Sequence, residues 1–106
     1  MNAVRSWAWA GALLMAAAPA LALAETHTVV IDGMQFQLPT LAVKRGDKVV
    51  WQNKDLVPHT VTAKGGFDSG NIDPGKQWSW TASGDGRIDY ICTYHPGMKG
   101  SLTVRP

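Results

Sequence analysis

From Glu25 onward, apolar residues recur at every second position and are punctuated by glycine, proline and the pairs Asp32-Gly33 and Gly46-Asp47, and no stretch keeps a helical period. Alternation of this kind suits strands with one face turned inward, because successive side chains of a strand point to opposite sides. The pattern predicts strands over Thr28 to Asp32, Gln35 to Leu38, Leu41 to Lys44, Lys48 to Asn53, His59 to Ala63, Gln77 to Ala82, Ile88 to Cys92 and Ser101 to Val104. The chain is therefore all-β, and about seven to eight short strands in 106 residues leave room for one domain, a sandwich or a barrel. Trp51, Trp78 and Trp80 fall at strand spacing, which assigns them to the core rather than to a carbohydrate platform.

The residues before Glu25 follow other rules. Arg5 and the α-amino group carry positive charge, an uncharged alanine-rich run starts at Trp7, and Pro19 precedes Ala22-Leu23-Ala24. Small residues at that spacing fit a signal peptidase, so residues 1–24 are predicted to be a cleavable signal peptide and residues 25–106 the mature domain. A retained membrane anchor is the competing reading, disfavoured because the run is weakly hydrophobic and broken by Pro19. The formal charge of +2 comes from scattered Lys and Arg without a basic stripe, so nucleic-acid binding is not expected.

The single cysteine, Cys92, cannot form an internal disulfide, yet a small exported domain needs some other staple and a free thiol there needs protection. The run Cys92-Thr93-Tyr94-His95-Pro96-Gly97-Met98 answers both needs, because it sets a thiolate, an imidazole and a thioether about a tight turn between two predicted strands. His59, behind the rigid Pro58 at the start of another predicted strand, supplies a further imidazole. Two imidazoles, one thiolate and a weak thioether suit copper in both oxidation states. Zinc would recruit more Cys, His or carboxylate and makes poor use of Met. A cysteine nucleophile is disfavoured as well, since no orienting Asn or Asp is evident and Met98 would have no task, so the chain is not expected to be an enzyme. Met34 is assigned to core packing, with the rim of the site as its alternative, and His27 is left without a partner.

With Val57-Pro58-His59-Thr60, Phe67-Asp68-Ser69-Gly70, Pro74-Gly75 and Tyr90 to Gly100, the chain resembles the cupredoxins, the small amicyanin-like and plastocyanin-like blue-copper proteins. The resemblance covers nearly all of residues 25–106. It implies a Greek-key β-sandwich, one type 1 copper ion cycling between Cu(I) and Cu(II), His59, Cys92 and His95 as equatorial ligands, Met98 as axial ligand, and a solvent-facing His95. It also implies a monomeric periplasmic electron carrier meeting redox partner proteins, with no membrane attachment after signal cleavage. Copper storage or delivery is the alternative. Thr60 stands where the family has Asn, and its hydroxyl is expected to tie the ligand loops less completely. Tyr94 and Gly97 stand where the family has Pro and Phe. The Tyr94 N–H is expected to donate towards the Cys92 sulfur, and Gly97 to alter the partner surface, leaving the family's dehydrogenase partner open. Lys64 and Lys99 are expected to be solvated surface or to flank the copper end.

Overall fold

The computed structural model describes residues 23–106. The expected signal segment lies outside the described residues apart from Leu23 and Ala24, both exposed. Seven strands follow: β1 (Thr26–Asp32), β2 (Gln35–Phe36), β3 (Thr40–Lys44), β4 (Lys48–Asn53), β5 (Gln77–Thr81), β6 (Gly86–Cys92) and β7 (His95–Arg105). They form a four-stranded sheet in the order β2-β1-β4-β5 and a three-stranded sheet in the order β3-β7-β6. The β1–β4 and β3–β7 pairs are parallel, and the other pairs are antiparallel.

The sheets face each other across the core that the alternation predicts. Val29, Ile31, Val49 and Trp51 from one sheet meet Val43, Tyr90, Leu102 and Val104 from the other. Trp51 lies at the centre, its ring 5.6 Å from Trp78 on the adjacent strand and 5.5 Å, edge-on, from Tyr90 across the sandwich. Aromatic pairs at these separations add about 0.5–1.5 kcal/mol beyond the area they bury. Trp78 and Trp80 are half-buried against this core, as expected.

Two predicted strands come out differently. Gln35 to Leu38 shortens to Gln35–Phe36, because the backbone turns left-handed at Leu38, with φ of 63°, and leaves that side chain exposed. His59 to Ala63 makes isolated bridges rather than a strand. Its N–H groups go partly to side chains, Thr60 to the Cys92 sulfur and Val61 to Ser69 Oγ, so a continuous ladder cannot form.

His27, unpartnered on the sequence reading, places Nε2 2.9 Å from Oδ2 of the buried Asp47. Hydrogen bonds from the backbone N–H groups of Glu25 and Lys44, then from His27, hold the Asp47 carboxyl well below the usual carboxylate range. Since the folded value is depressed, the stability it contributes is complete above the unfolded value of about 3.9 and is lost as pH falls towards the folded value. Asp47→Asn is expected to lower the thermal midpoint at neutral pH. Melts at several pH values should show the gap narrowing below about pH 4.

Candidate metal centre

Cys92 ends β6 and His95 begins β7, so the predicted ligand loop is a tight hairpin, with Thr93 and Tyr94 at its tip and Cys92 paired with His95. The sequence reading began the last strand near Ser101, but β7 starts six residues earlier and carries both His95 and Met98. Period-two alternation along β6 puts Cys92 on the same inward face as Tyr90, and the pairing with β7 is irregular between Ile91 and Cys92. Cys92 and His59 are fully buried and Met98 nearly so, whereas His95 is half-buried and the most open of the four, as expected.

The structure brings His59 and Cys92 together, with Nδ1 3.7 Å from Sγ, and sets the His95 ring at a centroid distance of 5.5 Å from that of His59. Among the described residues no group of three or more His, Cys, Asp and Glu side chains closes a metal site by itself. Met98 and His95 line one depression, which neither His59 nor Cys92 lines.

The orientation of His59 comes from a residue the sequence reading missed. Asn53, buried at the end of β4, donates to the carbonyls of Val57 and Ile72 and accepts the N–H of Asp55, which shapes the loop before Pro58. Asp55 Oδ2 then lies 2.8 Å from His59 Nε2, and its carboxylate accepts the N–H groups of Gly33 and Met34 at 2.7 and 2.9 Å. Burial raises the Asp55 carboxyl, but the Met34 N–H, the His59 ring and the Gly33 N–H outweigh it and leave it below its ordinary value. An ionised carboxylate only accepts, so His59 Nε2 carries the proton and Nδ1 offers its lone pair towards Cys92. The one sequence signal is the spacing of four between Asp55 and His59, which is meaningless until the loop conformation is known.

The turn tied by Asp55 also places Met34. Gly33 and Met34 both have positive φ, 65° and 61°, as a two-residue hairpin with a right-handed twist requires. Met34 is therefore exposed, at the rim with Val57, Pro58, Tyr94 and His95, and not in the core.

Thr60 ties the loops more fully than expected. Its hydroxyl accepts the Thr93 N–H at 2.9 Å and touches the hydroxyls of Thr62 and Thr93, while its own N–H reaches the Cys92 sulfur at 3.4 Å. That sulfur bond was expected from Tyr94. Among the described residues the N–H found on that sulfur is the one from Thr60; Tyr94 occupies the hairpin tip, and its hydroxyl donates to Asn71. Thr60→Val keeps the N–H to sulfur but strips Thr93 of its acceptor, and should cost about 1 kcal/mol in denaturant unfolding. Lys99 lines the depression beside His95, whereas Lys64 lies in another with Trp80 and Asp85. A side chain at Gly97 would meet open space, which makes the position bare surface.

A thiolate, two imidazoles and a thioether would fit a soft or borderline transition ion, and the Thr60 N–H and Asp55 carboxylate orient the Cys92 sulfur and the His59 ring. Fold and donor types thus describe a two-sheet β-sandwich that pairs a buried thiol with a buried imidazole. The family model for the cupredoxin-like domain matches residues 5–104, and the chain belongs to that family. It is 35% identical over 82 residues to amicyanin-alpha of Methylorubrum extorquens, covering 72% of this chain and 69% of that protein. It is also 31% identical to amicyanin of Paracoccus versutus, over 76% of this chain and 66% of that one, so the match spans about two thirds of these relatives. Among solved structures, a variant of amicyanin in its Cu(I) form superimposes with a TM-score of 0.72 and 31% identity, over 76% of this chain and 82% of the other.

Proposed function

We propose that residues 25–106 form an exported, periplasmic electron carrier that holds one type 1 copper ion through His59, Cys92, His95 and Met98 and passes single electrons between redox proteins without catalysing a reaction itself. The observation that carries this reading is the contrast within the donor set. Cys92 and His59 are sealed from water and held at 3.7 Å, while His95 reaches the surface. Bound copper supplies a one-electron couple at the thiolate. The chain supplies the rest. Asp55 fixes the tautomer of His59, and the Thr60 N–H stabilises negative charge on the Cys92 sulfur. The buried strands exclude water.

Around His95 the rim is apolar, made by Met34, Val57, Pro58 and Tyr94. A partner can press against such a rim without stripping water from charges, which suits brief docking. The amicyanin relatives support the same reading.

The test is a visible spectrum of the copper-loaded protein through reduction and reoxidation, with copper assayed before and after. An intense thiolate-to-copper band that bleaches and returns without metal loss is expected. Metal shed on reduction would turn the reading to copper delivery, and a colourless loaded protein would remove Cys92 from the ligand set.

A further inference from the structure

Far from the metal centre, the backbone nitrogen of Glu25 donates to Oδ1 of Asp47 at 3.0 Å. Asp47 is 1% exposed, and its other oxygen takes the Lys44 N–H and His27 Nε2, each at 2.9 Å. The main chain of Glu25 is held on its other side too, since its carbonyl accepts the Lys48 N–H at 2.8 Å. Immediately before it, Leu23 is 79% exposed, so the chain leaves the sandwich at this point. The bond from Ala24 to Glu25 is also the one expected to be cut, which makes the nitrogen held by Asp47 the future α-amino group.

We propose that Asp47 is the receptor for the mature N-terminus, so that removal of residues 1–24 itself locks β1 into the sandwich. The inference rests on the export reading. Hydrolysis of the Ala24–Glu25 bond takes up one water and leaves a carboxylate on Ala24 and, at neutral pH, an ammonium on Glu25. A neutral amide donor to a buried carboxylate is thereby replaced by a cation at the same place, which adds a direct Coulomb attraction to a hydrogen bond that the ionised acceptor already strengthens. Among the described residues His27 is the one basic side chain in contact with Asp47, because Lys44 Nζ lies by the Glu25 side chain at 3.9 Å and Arg45 turns to the Gly84 carbonyl. Among the described residues, Lys48 at the start of β4 and Arg105, paired with Lys44 on β7, are the further charged residues near the site. The gain falls on a strand that matters, since β1 lies inside its sheet between β2 and β4 and contributes Val29 and Ile31 to the core.

An ammonium paired in the folded state has its pKa raised above the unfolded value of about 7.7–8.0, so its contribution is complete below that range and is lost as pH rises through the raised value. The test compares two copper-loaded chains, one beginning at Glu25 and one retaining Leu23-Ala24, each also made with Asp47→Asn. At pH 7 the chain beginning at Glu25 should melt about 4–8 °C higher, the shift that an added ion-pair attraction to a buried carboxylate gives a domain of this size. The gap should disappear above about pH 10 and in the Asp47→Asn pair. Equal midpoints at pH 7, or a gap that survives Asp47→Asn, overturn the inference. Should the Asp47→Asn chains not fold, titration of the Glu25 α-nitrogen by NMR decides: a midpoint above about 8.0 supports the pairing and an ordinary one overturns it. The mass of the protein recovered from the periplasm tests the export reading separately, since a different first residue removes that premise whatever the melts show.

Discussion

Replacing Gly100 by alanine should destabilise the protein by about 3 kcal/mol or more, at the upper end of what overpacking a core costs. Gly100 pairs with Tyr90 across β6 and β7, and the Tyr90 ring crosses directly over it. A Cβ there would lie 2.3 Å from Cζ, 2.4 Å from the hydroxyl and 2.7 Å from Cε1 of that ring. The ring has nowhere to go, being edge-on to Phe36 at 4.8 Å and to Trp51 at 5.5 Å, with Phe67 at 6.2 Å. Its hydroxyl accepts the Trp51 Nε1–H at 3.3 Å, and burial pushes the phenol pKa up while that bond works the other way, so Tyr90 stays neutral. Denaturant unfolding measures the loss. Tyr90→Phe gives no relief, because the clashing ring carbons remain, whereas in a Tyr90→Leu background the alanine should cost much less. A Gly100→Ala protein within 1 kcal/mol of wild type would mean that β7 can move away from β6, contrary to this packing.

With His59 holding copper as proposed, Asp55→Ala is expected to weaken copper binding about 10- to 100-fold, the usual loss when the partner of a ligating imidazole is removed. Without the carboxylate, His59 is free to put its proton on Nδ1, the nitrogen that faces Cys92. The same substitution releases the N–H groups of Gly33 and Met34 and with them the turn that carries Met34 to the rim. Asp55→Asn is the milder variant, since its one carbonyl oxygen can still accept hydrogen bonds from His59 and Met34, while the charge is lost and its amide NH2 faces the Gly33 N–H. Competition with a chelator of known affinity measures both variants, and an unchanged affinity in Asp55→Ala would show that His59 needs no such orientation. The Asp55 carboxyl sits below its ordinary value in the fold, so its support is complete above the unfolded value near pH 4 and fades as acid protonates it.

Much of this molecule was readable from residue order. Period-two alternation places Val49, Trp51, Tyr90, Leu102 and Val104 inside, because in a strand the identity of every second residue decides which face can leave water. The spacing of Cys92, His95 and Met98 likewise marks a soft donor set, since all three lie on one short hairpin whose geometry is local. His59 stands out in the sequence by its donor type and the rigid Pro58 before it, and the fold brings its Nδ1 to 3.7 Å from the Cys92 sulfur.

Tertiary structure alone decided the rest. Nothing local to His59 to Ala63 shows that its N–H groups go to Cys92 and Ser69 instead of a neighbouring strand. Asp55 orients His59 only because Asn53, buried at the end of β4, shapes the loop between them. Met34 stands at the rim because a carboxylate 21 residues away holds its turn, and His27 finds Asp47 across a separation of 20. In each case a polar group within or beside the core takes whatever partner the packed sheets bring near, and a hydrogen bond between distant residues has no period in the sequence.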